Sequence, residues 1–429
     1  MSDLCRRSAH DLARLIRIRE VKPSEVMQAH LERIALREPV LGAFQYLDAD
    51  RAMDRALAAD NRQSDGPLHG VPFVIKDIID TDDMPTGWGS DLYSNRQPVM
   101  NAACVQMLLD VGAIPIGKTV TTEFAYFRPG KTANPHNPEH TPGGSSSGSA
   151  AAVADFMAPL AFGSQTAASL IRPAAYCGVY GFRPTIHGYP LFGVMGLSPS
   201  LDTLGVLARH PYDLALTDAV LRGIESPQRA RFEDSLPRIS LMRGPHWMDG
   251  SIEMRDTCTR AMSAIAAAGS DSGEIAHPAI LADLTAAHHT IMAYEAARLR
   301  LDEFEKGLPA ISPQFHALIE AGLKISEADY QHALILRDRA ELVLEQIFGD
   351  TDALLVPSAP GSAPVGLEAT GDPLFSRMWN LLQVPSIAIP FGVNQNGLPL
   401  GIQLVAPKGY DARLLDIAQW VSNILNPLG

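Results

Sequence analysis

The chain is poor in cysteine: Cys5, Cys104, Cys177 and Cys258 lie far apart, with no C-x-x-C pair among 429 residues. That spacing excludes a zinc ribbon and a dithiol redox centre, and the four read as free thiols. Cys177, in an apolar stretch, reads as a small hydrophobe rather than a nucleophile. Cations are outnumbered, with Lys and Arg at 35 against 48 Asp and Glu, for a net charge of −13. This balance argues against a nucleic-acid partner and against an anionic membrane surface. No apolar run reaches the roughly 18 residues of a membrane span. The start, Met-Ser-Asp-Leu-Cys-Arg-Arg, has no apolar signal core, so a cytoplasmic location is expected. Histidines are scattered: His288 and His289 face different ways on a helix, and His136 and His140 lie in a loop where solvated side chains are the default. Neither a metal nor a cofactor is expected.

Small residues are plentiful. Thr141-Pro-Gly-Gly-Ser-Ser-Ser-Gly-Ser-Ala-Ala-Ala-Val-Ala154 and Gly163-Ser-Gln-Thr-Ala-Ala-Ser-Leu-Ile-Arg-Pro173 place Ser145 and Ser169 in two loops of Gly, Ser and Ala. Residues this small leave backbone N–H groups unshielded, which is what an oxyanion site needs. Ala150 to Leu160 between them is apolar and helix-prone at its start, so one packed element can bring the loops together.

A serine nucleophile needs a base. In Gly66-Pro-Leu-His-Gly-Val-Pro-Phe-Val-Ile-Lys-Asp-Ile-Ile-Asp80, Val71 to Ile75 reads as a short buried strand that ends in Lys76. Burial disfavours the ammonium and turns a lysine into a proton acceptor. The competing reading pairs Lys76 with Asp77 or Asp80 at the strand end, and the segment alone leaves both open.

Two short motifs fail on context. Gly144-Ser-Ser-Ser-Gly148 has the G-x-S-x-G form, with Ser146 at its centre, but a polar, proline-broken loop precedes it where a strand is required. Gly112-Ala-Ile-Pro-Ile-Gly-Lys-Thr119 fits the P-loop pattern. Here Ala103 to Val111 reads as a helix stopped by Gly112, and Ala113 to Gly117 as an apolar strand. The strand–loop–helix order that cradles phosphate is therefore reversed.

With these motifs in view, the chain resembles the amidase signature family. The resemblance runs from Gly66-Pro-Leu-His-Gly-Val-Pro through Gly117-Lys-Thr, Asn134-Pro-His-Asn-Pro and Ala174-Ala-Tyr-Cys-Gly-Val-Tyr-Gly-Phe-Arg-Pro-Thr185. It returns in Leu354-Leu-Val-Pro-Ser-Ala-Pro360, Trp379-Asn-Leu-Leu-Gln-Val-Pro-Ser386 and Gly397-Leu-Pro-Leu-Gly-Ile-Gln-Leu-Val405. It implies Ser169 as nucleophile, Ser145 as proton relay on a cis peptide bond, and Lys76 as general base. Backbone N–H groups of Thr166, Ala167, Ala168 and Ser169 would hold the oxyanion. Arg172, Tyr126, Phe127 and Gly144 are the substrate-binding candidates. For Arg172 two roles stand side by side: a fork for a substrate carboxylate, or a tie on the backbone of the serine loops. Tyr126 and Phe127 also read as partly core. Ser147, Gln165 and Ala167-Ala168 depart from the residues commonest in the family, respectively Gly, Asp and Gly-Gly. If residue 168 needs positive φ, its alanine is strained.

The resemblance implies cleavage of a linear carboxamide, such as a small amide, an aryl amide or a carbamate-type bond, with ester cleavage as a side activity. It equally admits the amidase subunit of a glutamyl-tRNA(Gln) amidotransferase. From another class, a degenerate protein that binds a ligand without catalysis also remains. The expected fold is α/β, a large twisted mixed sheet with helices on both faces, in a single domain over 1–429. Within it, 1–65 carries N-terminal helices, 66–210 the catalytic core, 211–350 a variable and mostly helical substrate-side region, and 351–429 the C-terminal part of the core. Ser8 and Ser24 read as helix N-caps, with Pro23 and Pro39 at turns and a third helix from Asp50 to Ala59. A small-molecule substrate and a homodimer complete the expectation.

Overall fold

A computed structural model describes residues 3–62, 66–225, 227, 232 and 236–426. Among the described residues eleven strands form one mixed sheet. They are β1 (Phe44–Leu47), β2 (Pro72–Lys76), β3 (Ile114–Thr119), β4 (Leu160–Gln165), β5 (Tyr180–Arg183), β6 (Thr203–Ala208), β7 (Ile239–Met242), β8 (Ser272–Ile275), β9 (Ala353–Pro357), β10 (Ser386–Val393) and β11 (Pro399–Val405). Their order across the sheet is β1-β3-β2-β4-β6-β5-β10-β11-β9-β7-β8.

Strands β2 to β6, β9 and β11 are buried along their whole length. Cover on both faces explains why they read as nearly continuous apolar runs rather than as alternating ones. Phe73 and Ile75 of β2 pack into one core cluster and Val74 into the other, the period-two alternation that assigns each face of the sheet its own core. The two edge strands, β1 and β8, are four residues each and partly exposed. Short edges limit pairing with other chains.

The N-terminal part holds helices Ala9–Arg17, Pro23–Leu41 and Ala49–Asp60. Ser8 caps the first, its Oγ accepting from the Asp11 N–H. Ser24 does not cap the second. Pro23 occupies the first helical position, its fixed φ suited to that place, and Lys22 takes the cap while Glu25 accepts from its N–H at 2.8 Å. Ser24 instead donates to Asp60 Oδ2 at 2.6 Å. Pro39 lies inside the helix, which ends at Gly42 in the left-handed region. The tiny edge strand β1 is not legible in the sequence, because four residues carry too little periodicity.

The element that joins the serine loops is helix Ser147–Ala154. A Cβ on Gly148 would stand 2.2 Å from the Ala43 carbonyl oxygen and 2.5 Å from the Val120 nitrogen. The helix therefore touches the β1–β3 corner backbone to backbone, which only glycine allows. Gly148→Ala is expected to lower stability by about 1–3 kcal/mol through overpacking, read as a fall in the denaturant midpoint. An unchanged midpoint would mean that the corner gives way at no cost.

Candidate active site

Lys76 ends β2, and its neighbour β4 runs alongside with Ile75 opposite Phe162. The chain continues on β4 to Ser164, which brings that hydroxyl beside the lysine. Lys76 Nζ lies 2.8 Å from Ser164 Oγ and 2.6 Å from Ser145 Oγ. The side chain is fully buried and forms no ion pair among the described residues. Asp80, one of the two carboxylates that compete for it in the sequence, is instead gripped by both terminal nitrogens of Arg96 at 2.7 Å. Asp77 accepts from the Gly87 N–H. Burial without a contacting carboxylate lowers the Lys76 pKa to about 7, opposed weakly by the more distant charge of Asp202.

The Gly144–Ser145 peptide bond is cis. Gly143 before it has a φ of 81°, and a Cβ there would come within 2.9 Å of Pro173. The loop is thus pressed against the helix Ile171–Cys177. Arg172 on that helix ties it: Nη2 donates to the Gly144 carbonyl at 2.6 Å and to Thr370 Oγ1 at 3.2 Å, and Nη1 donates to the Gly371 carbonyl at 2.6 Å. The Ser146 N–H donates to the Ser169 carbonyl at 3.2 Å and binds the second serine loop to the first. Ser146 is fully buried, its hydroxyl donating to the Ser164 carbonyl.

Ser145, Thr166, Ala167, Ala168, Ser169 and Arg172 line one cavity of about 30 Å³, closed on its other sides by Tyr126, Phe127, Leu197, Met292, Thr370 and Arg377 among others. Of the sequence-derived site residues, Lys76 and Gly144 do not line it: Lys76 lies behind Ser145, and Gly144 meets Arg172 through its carbonyl. Ser169 is half-buried and Ser145 buried. Tyr126 and Phe127 pack edge to face at 4.8 Å, and Tyr126 also meets Phe315 of the core. They follow Phe124 and Ala125, both with positive φ. Such residues cost of order 1 kcal/mol each, and here they turn the chain so that Ala125, Tyr126 and Phe127 face the cavity.

The loop 166–169 is held from behind. The Thr166 carbonyl accepts from Asn380 Nδ2 at 2.7 Å and from His288 Nε2 at 2.8 Å. A trans peptide sets C=O and N–H antiparallel, so fixing this carbonyl also fixes the direction of the Ala167 N–H. Thr166 Oγ1 donates to Asp202 Oδ1 at 2.6 Å, while Asp202 Oδ2 accepts from the N–H groups of Leu197 and Ser198. Burial raises the pKa of that carboxyl to about 6. Neither Ala167 nor Ala168 has positive φ, so the strain that an alanine would bring at residue 168 does not arise. Gln165 Oε1 accepts from the N–H groups of Leu170 and Ile171, each at 3.1 Å. An amide oxygen caps the helix here as a carboxylate would.

Several site residues are not legible in the sequence. Ser164 falls in the second small-residue stretch of the sequence, at the end of β4, with nothing in its neighbours to mark it as a partner of Lys76. Asn380 sits in the Trp379-to-Ser386 motif, whose side-chain targets are visible only in three dimensions. His288 draws attention in the sequence only as a metal-ligand candidate, set aside because His289 beside it faces another way. It is buried, and burial with nearby Arg377 holds its pKa well below the ordinary value. His140 is likewise not solvated but buried, bonded through Nδ1 to the Ala363 carbonyl. Lys118, the lysine of the P-loop pattern, lies near the end of β3 in a buried bond to Thr86 Oγ1 at 2.6 Å and to the Ile79 carbonyl. Among the described residues no cluster of His, Cys, Asp and Glu could hold a metal, and no helix is long and apolar enough to cross a membrane.

Comparison with known proteins bears on this geometry. A family profile described as Amidase matches residues 25–415. The chain is 34% identical to a glutamyl-tRNA(Gln) amidotransferase subunit from Acidothermus cellulolyticus, over 96% of this chain and 93% of that protein. It is also 34% identical to the protein of the same name in Thermus thermophilus, over 96% and 95%. Among solved structures, one described as an amidase superposes with a TM-score of 0.90 at 29% identity, covering 98% of this chain and 100% of the other.

The ties made by Arg172 carry a measurable expectation. Arg172→Met removes charge-assisted bonds to two carbonyls, each worth about 1.5–3 kcal/mol. A drop in unfolding free energy of that order is expected from chemical denaturation. A variant as stable as the parent would show that the loops are held by other contacts.

Proposed function

The chain belongs to the amidase family, a hydrolase family acting on carbon–nitrogen bonds, and on that premise we propose that it cleaves a linear carboxamide through an acyl-enzyme on Ser169. The observation that carries this reading is the buried Lys76, 2.6 Å from Ser145 and, among the described residues, without a counter-ion. In the proposed sequence neutral Lys76 takes the proton of Ser145, which takes that of Ser169, and Ser169 Oγ bonds to the amide carbon. Backbone N–H groups of residues 166–169 receive the oxyanion, each donor contributing about 3–4 kcal/mol to lowering the barrier. The proton returns through Ser145 to the nitrogen as the C–N bond breaks. Water, activated by the same pair, then releases the carboxylic acid. We read the whole chain as one amidase unit, with esters and carbamates as further substrates for the same acylation.

Two substrate assignments have separate support. The names of the relatives at 34% identity favour a subunit of an amidotransferase, with glutamine as the amide and other subunits as recipients of the ammonia. The superposition at a TM-score of 0.90 on a protein described simply as an amidase favours a free-standing enzyme. The purified chain decides between them: steady hydrolysis of other small amides by the chain alone supports the second. Activity confined to glutamine and raised by added partner subunits supports the first.

Peptide mapping after treatment with a serine-directed sulfonyl fluoride tests the triad. A single adduct on Ser169, lost in Lys76→Ala, is expected; an adduct on Ser146, or none, would overturn the assignment.

The pH dependence follows from the base. Lys76 accepts a proton only when neutral, and its pKa is lowered to about 7. Acylation is therefore expected to rise about tenfold per pH unit below 7 and level off above it. A rate that falls between pH 6 and 8 would contradict Lys76 as base.

A further inference from the structure

The cavity beside Ser169 is lined by two arginines and, among the described residues, by no carboxylate. They are not equivalent. The terminal nitrogens of Arg172 are spent on two carbonyls and Thr370. Arg377, on helix Leu374–Leu381, is 3% exposed, and its one hydrogen bond among the described residues runs from Nη1 to His288 Nδ1 at 2.9 Å. It forms no ion pair among them. A guanidinium has five N–H donors, so most of this fork is free.

His288 cannot neutralise it. With Nδ1 accepting from Arg377 and Nε2–H donating to Thr166, the imidazole is neutral. Burial lowers the Arg377 pKa only to about 10, which leaves it charged near neutrality. The charge of Asp372 reaches Arg377 without an ion pair between them, and a buried cation left unpaired is costly. Arg377 also stands where the inner cavity meets an outer one of about 620 Å³, which shares Phe127, Thr370, Pro373 and Arg377 with it. Asp372, on the outer side, is exposed and accepts from the Leu374 N–H at the start of the helix.

We infer that Arg377 determines specificity by receiving a carboxylate of the substrate, and that the substrate is a short monoamide of a dicarboxylic acid with no ammonium group near the reacting carbonyl. This rests on the amidase reading above. The fork geometry suits a carboxylate bidentately. The acid-free chamber repels an ammonium, which separates such a monoamide from glutamine.

The test compares malonamate, succinamate and glutaramate with butyramide and glutamine, using the wild-type, Arg377→Met and Arg377→Lys proteins. The best monoamide is expected to exceed butyramide in kcat/KM by about 100-fold or more. In Arg377→Met that ratio should collapse towards one, even where the lost bond to His288 slows both substrates, and Arg377→Lys should retain part of it. A wild-type preference for butyramide, a loss shared equally by both substrates in Arg377→Met, or glutamine outpacing glutaramate would overturn the inference. Thermal shift of Ser169→Ala protein with succinate and glutarate separates binding from chemistry and does not depend on Arg377→Met folding. Stabilisation by these dianions without amide hydrolysis by wild type would leave the anion site standing and remove the amidase reading. Hydrolysis of neutral amides with no stabilisation would do the reverse.

Discussion

Everything at the site depends on a lysine that is buried without a carboxylate partner. An ammonium in that position would be disfavoured by several kcal/mol were it fully charged, so the fold holds Lys76 near the point of deprotonation and surrounds it with hydroxyls. Ser145 and Ser164 serve an amine in either protonation state, since a hydroxyl both donates and accepts. Asp80 is kept away from it by Arg96, and Asp77 by the turn at Gly87. The nearby acids are thus engaged elsewhere, and the lysine is left without an ion pair among the described residues.

The second constraint is backbone placement. The serine loops are short of side-chain bulk, so their positions depend on ties from outside. Arg172 grips the carbonyl of Gly144, Gln165 closes the loop onto the following helix, and Asn380 with His288 fixes the Thr166 carbonyl. Several of these residues come from distant parts of the chain. Helix 284–299 reaches the 166–169 loop through His288, and helix 374–381 reaches it through Asn380. The region between residues 253 and 348, poor in motifs, therefore supports the site directly.

Two arginines of similar burial play unlike parts because of what faces them. Arg172 looks onto carbonyl oxygens of its own loops and is consumed by them. Arg377 looks onto a neutral imidazole and open space. The carboxylate-binding role open to Arg172 on sequence grounds fits the surroundings of Arg377 better, a difference that residue type alone does not express.

The mixed α/β architecture was legible only through the family resemblance; the pattern of residues itself was enough to determine the buried strand that ends in Lys76, the two serine loops and the failure of the P-loop reading. Those features are local: apolar runs, glycine stops and small-residue loops act over a few neighbours. It also placed a helix stop at Gly112 and a cap at Ser8, where a single residue decides the geometry. Tertiary structure alone decided the partners of Lys76, the ties on Thr166, the strain-free backbone of Ala168 and the unfilled fork of Arg377. The physical reason is that counter-charge and hydrogen-bond supply at a buried group come from whatever distant segment packs against it. Lys76 and Ser145 are brought together by a sheet and a helix that neither residue encodes.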